Sequence, residues 1–211
     1  MGIENVVVAG GGVLGSQIAY QAAYKGFNVT VWLRSEGSID RAKPKFEQLR
    51  QTYLETLEAM KTDPAAYCRG LADSPELPAD QIDQLKQKAQ QAFEAIRFTT
   101  SYEQAACNAD LVIEAIAEDP AQKDAFYAEL AKYLPEQTIL VTNSSTLLPS
   151  QMAQATGRPE KFLALHFANR IWRNNTAEVM GHPGTDAAAY NAVVQFAADL
   201  GMVPLQLHKE Q

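Results

Sequence analysis

The hydrophobic pattern begins with a continuous apolar run, Val6-Val7-Val8-Ala9, which passes into Gly10-Gly11-Gly12 and then into apolar positions at helical spacing. A β-branched run bounded by glycine predicts a strand buried on both faces. The segment from about Leu14 to Lys25, with Ile18, Ala19, Ala22 and Ala23, predicts a helix that Gly26 stops. Val29-Thr30-Val31-Trp32-Leu33 predicts a second strand.

The pattern then becomes charged and helix-forming, which predicts a helical insertion over about 38–95. Phe46, Leu49, Tyr53, Leu57 and Met60 recur at helical spacing within it. Asp63-Pro64, Ser74-Pro75 and Pro78 interrupt it, and Asp80 to Ala95 predicts a further helix with an aspartate cap. Strand and helix alternate again afterwards. Arg97–Thr100, Leu111–Ala115 and Thr138–Thr142 predict strands, separated by helices over Tyr102–Asn108 and Pro120–Tyr133, and further strands follow at Leu163–Asn169 and Val203–Leu207. Such alternation predicts a Rossmann-like, doubly wound α/β fold whose sheet is mainly parallel. We expect one dinucleotide-binding domain over 1–211, with its ligands outside the carboxyl ends of the strands.

Composition narrows the function classes. The net charge of −7 argues against a nucleic-acid partner and against an anionic membrane surface. No apolar run approaches the ~20 residues of a membrane-spanning helix, and no basic, apolar leader precedes the first strand, so a cytoplasmic location is expected. Cys68 and Cys107 have no metal-binding spacing and read as reduced thiols. The three histidines, His166, His182 and His208, are too scattered to predict a metal site.

Gly10-x-Gly12-x-x-Gly15 fits the dinucleotide fingerprint. Gly10 permits the tight turn, Gly12 lets the backbone approach a pyrophosphate, and Gly15 brings the helix close to the sheet. Val13 and Leu14 open that helix, whose unpaired N–H groups would face the phosphates. After the second strand an acid usually holds the adenosine ribose, but here Leu33-Arg34-Ser35 occupies the position. Arg34 leans the reading from NAD toward NADP, because a guanidinium pairs with a 2′-phosphate; stacking on adenine or simple solvation is the alternative.

The richest segment for chemistry is Leu163 to Asn169, followed by Asn174 to Val179. A histidine at a strand's carboxyl end suits proton transfer near neutrality, and Glu178 is the nearest downstream acid able to orient it. His166 reads equally as a satisfied structural histidine. Asn143-Ser144-Ser145 fits either site material or an Asx turn leading to Pro149.

In these motifs the chain resembles the L-3-hydroxyacyl-CoA dehydrogenases over essentially its whole length. The resemblance rests on the glycine fingerprint, Glu114-Ala115-Ile116-Ala117-Glu118 with Lys123, Thr142-Asn143-Ser144-Ser145, and Leu165-His166-Phe167-Ala168-Asn169 with Glu178. It implies His166 as catalytic base and Glu178 as its partner, with Ser145 and Asn169 on the substrate's reacting oxygen. It places Asn143, Glu118 and Lys123 near the nicotinamide half of the cofactor. The implied reaction is reversible hydride transfer between a 3-hydroxy and a 3-oxo compound, either an acyl-CoA of fatty acid metabolism or a smaller substrate.

Departures qualify the resemblance. The family's histidine motif continues with proline, as in HFFNP, whereas Arg170-Ile171-Trp172 follows here, as in the diketoreductase-like branch. Trp172 reads as a core aromatic or as a substrate wall. The 11 acidic residues between Glu36 and Ile96 outnumber the 8 basic ones, which weakens a coenzyme A phosphate site on the insertion. The family's C-terminal helical domain, which supplies homodimer contacts and one wall of the substrate cleft, is absent before Gln211. A dinucleotide-binding module without turnover of its own is therefore the competing expectation.

Overall fold

A computed structural model describes residues 2–210; Met1 and Gln211, the bounds of the predicted domain, lie outside the described residues. The chain opens with β1 (Asn5–Ala9), α1 (Val13–Tyr24) and β2 (Asn28–Trp32). The predicted insertion consists mainly of α2 (Glu36–Met60) and α3 (Ala79–Ala95). All five apolar positions read as a helical stripe are buried on α2. The predicted aspartate cap of α3 is corrected: Pro78 occupies the cap position without a side-chain hydrogen bond, and Asp80 lies in the first turn. There its charge favours the positive end of the helix without capping it.

The alternation continues through β3 (Arg97–Thr99), α4 (Tyr102–Ala106), β4 (Leu111–Glu114), α5 (Pro120–Leu130), β5 (Ile139–Thr142), α6 (Pro149–Met152) and β6 (Phe162–Phe167). It closes with β7 (Thr176–Met180), α7 (Ala187–Asp199) and β8 (Val203–Leu207). The strands form one sheet in the order β3-β2-β1-β4-β5-β6-β7-β8. Pairing is parallel from β3 through β6, antiparallel between β6 and β7, and parallel again between β7 and β8. The link from β6 to β7 contains no regular helix, and a short link without a crossover returns the chain antiparallel. The carboxyl end of β6 thereby meets the amino end of β7.

The apolar run of β1 is explained by two cores. Val6 and Val8 feed the larger one, beneath α1, α2 and α7, while Val7 and Ala9 feed the other, beneath α4 and α5. Alternate side chains of a strand point to opposite faces, so a strand covered on both sides must be apolar throughout.

Gln21 of α1 ties the insertion to the sheet domain. Fully buried, it donates to the carbonyls of Gly70 (2.8 Å) and Leu200 (2.7 Å) and accepts from the Tyr53 hydroxyl. The backbone of Trp172 packs on Gly70, where a Cβ would come within 2.7 Å of it. The Trp172 ring lies 5.6 Å from that of Tyr53, and of its two readings the structure favours the core aromatic. Among the described residues no helix is long and apolar enough to cross a membrane.

Candidate active site and dinucleotide cleft

The three glycines of the fingerprint have different surroundings. Gly10 has φ +116°, and a Cβ there would collide with the carbonyl of Ala115. A Cβ on Gly15 would sit 2.5 Å from the carbonyl oxygen of Gly10, so that glycine sets how closely α1 approaches the turn. Gly12 faces open space instead, with nothing within 4 Å of an added Cβ. It is the cap residue of α1, no side chain bonds to that end, and no acid lies in the first turn. The N-terminal N–H groups and the helix dipole are thus available to an anion. Gly11 lies outside the fingerprint but is equally constrained, since a Cβ would come within 2.7 Å of both Leu33 and Ala42.

A cleft of about 970 Å³ opens over this turn, lined by Gly10, Gly11, Gly12, Leu33 and Arg34 on one side and by Ile116, Ala117 and Glu118 on the other. This cradle fits a dinucleotide: the glycines and the helix end would hold the pyrophosphate, and the carboxyl end of β2 would meet the adenosine. The same cleft is lined by Ser38, Arg41 and Lys45 of α2, which sequence reasoning did not single out. Their signal was present as polar and basic residues spaced three and four apart at the start of a helix. Ser35, expected at the cofactor, has a structural task at the start of α2. Its hydroxyl caps α2 by accepting from the Ser38 N–H at 3.1 Å, and Ser35 does not line the cleft. Ser38 takes the wall position and accepts from Arg41 Nη2 at 3.0 Å.

Lys123, expected near the nicotinamide half of the cofactor, lies behind the cleft wall. The side chain is fully buried, with Nζ 2.5 Å from Glu114 Oε2 and 3.4 Å from Glu118 Oε1. Glu114 is equally buried and also accepts from the Tyr127 hydroxyl (2.7 Å), the Thr142 hydroxyl (2.8 Å) and the Ile116 N–H (3.0 Å). Burial, and then the Glu114 charge, hold the Tyr127 phenol far above its usual value, so it remains a donor.

Glu118, by contrast, reaches the cleft wall and accepts from the hydroxyls of Ser144 (2.7 Å) and Thr146 (2.8 Å). Partial burial works to raise its pKa, but the hydrogen bonds from Ser144 and Thr146, together with Lys123, outweigh it. They hold the carboxyl below its usual value. Glu118 therefore joins the loop on the cofactor side to the loop that carries Ser145.

Ser144 and Ser145 divide the two readings of their motif. Ser144 is buried and its hydroxyl also accepts from the Leu147 N–H at 3.0 Å, which makes it the turn residue. Ser145 is exposed and lines a second, smaller cavity of about 80 Å³, together with His166 and Glu178. His166 and Glu178 are paired in the antiparallel β6/β7 register, and His166 Nδ1 lies 3.5 Å from Glu178 Oε2. Asn143 acts as a brace, its Oδ1 accepting from the Phe167 N–H at 3.1 Å. Asn169 lies outside the lining of the small cavity, in the turn after β6, where its Oδ1 accepts from Gln17 Nε2 at 2.9 Å. Val203 and Leu205, in register with Thr176 and Glu178, are exposed on β8, and Leu207 of the same strand lines the small cavity.

Comparison with known proteins agrees with this geometry. The family model for the 3-hydroxyacyl-CoA dehydrogenase NAD-binding domain matches residues 5–211. The fatty acid oxidation complex subunit alpha of Pseudomonas syringae pv. syringae is 30% identical over 203 residues, covering 96% of this chain and 24% of the relative. A diketoreductase structure, described for dual catalysis of dicarbonyl compounds, superposes with a TM-score of 0.83 at 44% identity. It covers 100% of this chain and 66% of the diketoreductase. The 3-hydroxybutyryl-CoA dehydrogenase of Escherichia coli superposes with a TM-score of 0.78 at 25% identity, covering 98% of this chain and 38% of that one. The chain thus spans about a quarter of the length of its curated relatives. On the family model and these likenesses together, the chain belongs to the NAD-binding domain family of the 3-hydroxyacyl-CoA dehydrogenases.

Proposed function

We propose that this chain is the cofactor-binding and proton-transferring part of an oxidoreductase that interconverts a 3-hydroxy and a 3-oxo compound. The observation that carries the proposal is the pairing of His166 with Glu178 in a cavity that also exposes the Ser145 hydroxyl. Glu178 Oε2 lies 3.5 Å from Nδ1, which favours the N–H on that nitrogen and leaves Nε2 as the base. In alcohol oxidation His166 takes the hydroxyl proton, and in ketone reduction it returns one. The Ser145 hydroxyl and the Asn169 amide hydrogen-bond the reacting oxygen, while the bound dinucleotide accepts or supplies the hydride.

The preferred dinucleotide is NADP(H). No acid stands at Leu33 to hold a ribose hydroxyl, and Arg34, Arg41 and Lys45 line the adjoining wall of the cleft. A 2′-phosphate there meets three cations and the Ser38 hydroxyl. The likeness to a diketoreductase supports a small dicarbonyl substrate, and the likeness to fatty acid oxidation subunits supports an acyl-CoA.

The test is an assay of acetoacetyl-CoA and a small 3,5-dioxo ester with NADPH and with NADH, following oxidation of the dinucleotide. Turnover of one substrate that His166→Gln lowers by about 10²-fold or more supports the proposal. Stoichiometric dinucleotide binding without turnover of either compound favours the binding module instead.

A further inference from the structure

We propose that Gln17 is a positioning residue that fixes the Asn169 amide with its N–H groups toward the substrate oxygen; the proposal rests on the reading of Asn169 given above. Gln17 lies on α1 two residues past Gly15 and is 6% exposed. Its Oε1 accepts from the backbone N–H of Arg170 at 2.8 Å and lies 3.4 Å from that of Ile171. A backbone N–H can only donate, so the oxygen of the Gln17 amide must face this turn. Its Nε2 must then point the other way, where it donates to Asn169 Oδ1 at 2.9 Å. The Arg170 N–H reaches the same Oδ1, also at 2.9 Å. With that oxygen held by two donors, Asn169 presents its Nδ2 as the free end. A carbonyl or developing alkoxide oxygen accepts from Nδ2, whereas an exposed Oδ1 would repel it.

The backbone of the turn makes this arrangement specific to the sequence. Arg170 has φ +58°, its N–H reaches both side chains, and the Asn174 amide holds the Asn169 carbonyl at 2.7 Å. Proline has no N–H and is locked near φ −65°, so it could neither adopt this turn nor donate within it. Where the family motif has proline after the asparagine, this chain therefore has Arg170 and, 153 residues earlier, a glutamine that its N–H can bind. The same glutamine links the helix that faces the cofactor to the residue that faces the substrate.

A double-mutant cycle in the full-length protein tests the proposal, using Gln17→Glu, Gln17→Met and Asn169→Ala with the substrate that the assay above identifies. Gln17→Glu keeps an acceptor for the turn but sets a second oxygen against Asn169 Oδ1, which turns the amide over. It should lower kcat by roughly 10- to 100-fold, short of the ~10²–10³ that loss of an oxyanion donor costs, and leave KM for the dinucleotide unchanged. Gln17→Met should also slow turnover, and Gln17→Met/Asn169→Ala should be no slower than Asn169→Ala alone, because Gln17 acts only through Asn169. Additive losses, or a wild-type kcat in Gln17→Glu beside a slow Asn169→Ala, overturn the proposal while leaving the functional reading intact. A wild-type kcat in Asn169→Ala overturns both. If Gln17→Glu does not fold, Gln17→Met and its double mutant decide the question by the same comparison.

Discussion

His166 and Glu178 face each other across the β6/β7 pair, with Nδ1 3.5 Å from Oε2, because β7 returns antiparallel to β6 and sets the two residues in register. Direct cross-strand neighbours are within reach of each other's side chains, so the sheet itself holds the pair. His166→Gln should lower kcat by about 10²- to 10⁴-fold with little change in dinucleotide affinity. Glu178→Gln, which can no longer stabilise an imidazolium, should also lower kcat and spare cofactor binding. Stopped-flow turnover beside fluorescence titration of the dinucleotide checks both, and an unchanged kcat in His166→Gln would remove the histidine from the chemistry.

The binding half of the site was more legible in the sequence than its internal supports. Gly10, Gly12 and Gly15 announce themselves because backbone geometry is local: Gly10 and Gly15 sit where a Cβ would meet backbone, and Gly12 leaves open space at the end of α1. The central strands β1, β4 and β5 were legible for the same reason, since a doubly covered strand is apolar along most of its length. Helix α7 was not assigned from sequence, although Ala189, Val193, Phe196 and Ala197 carry its buried stripe. The reversed direction of β7 depends on how short the preceding link is, which periodicity does not encode. The burial of Lys123 was not legible, because it depends on Glu114, whose own burial becomes visible only when β1, β4 and β5 are packed side by side. Gln17 had a faint signal as a polar residue on an apolar helix, but its partner is 152 positions away.

The three cations of the cleft should decide cofactor choice. A charged hydrogen bond to a phosphate contributes roughly 1.5–3 kcal/mol, which corresponds to about 10- to 100-fold in affinity. Arg41→Ala and Arg34→Ala should each lower kcat/KM for NADPH by about that factor while leaving NADH nearly unaffected. Equal losses with both dinucleotides would mean that these side chains serve the shared adenosine or the helix and not a 2′-phosphate.

The Glu114–Lys123 pair predicts an asymmetry in stability. Lys123→Met leaves a buried carboxylate without its cation and should cost about 3–5 kcal/mol. Adding Glu114→Gln to Lys123→Met removes the stranded charge and should restore part of that loss, because the Tyr127 and Thr142 hydroxyls can still donate to the amide oxygen. Urea unfolding midpoints of the two variants measure the difference. A wild-type midpoint in Lys123→Met would show that the pair is energetically idle.

Glu118 should make stability depend on pH at the acid end. Its carboxyl is held below the usual value by the Ser144 and Thr146 hydroxyls and by Lys123, against the opposing effect of burial. The folded state therefore binds its proton less readily than the unfolded state does. The contribution is fully present above the ordinary carboxylate range and is lost as pH falls below about 5 toward the depressed value. Replacing Glu118 with glutamine removes this titration, so the urea midpoint of Glu118→Gln should fall less steeply than that of the wild type as pH is lowered. Because Glu118 joins the cofactor loop to the Ser145 loop, the same acidification should loosen Ser145. Hydrogen exchange at the Ser144, Ser145 and Thr146 amides, corrected for the intrinsic effect of pH, should speed up over that range in the wild type and stay level in Glu118→Gln. Parallel acid limbs in the two proteins, with no difference in exchange, would show that Glu118 does not couple the two loops.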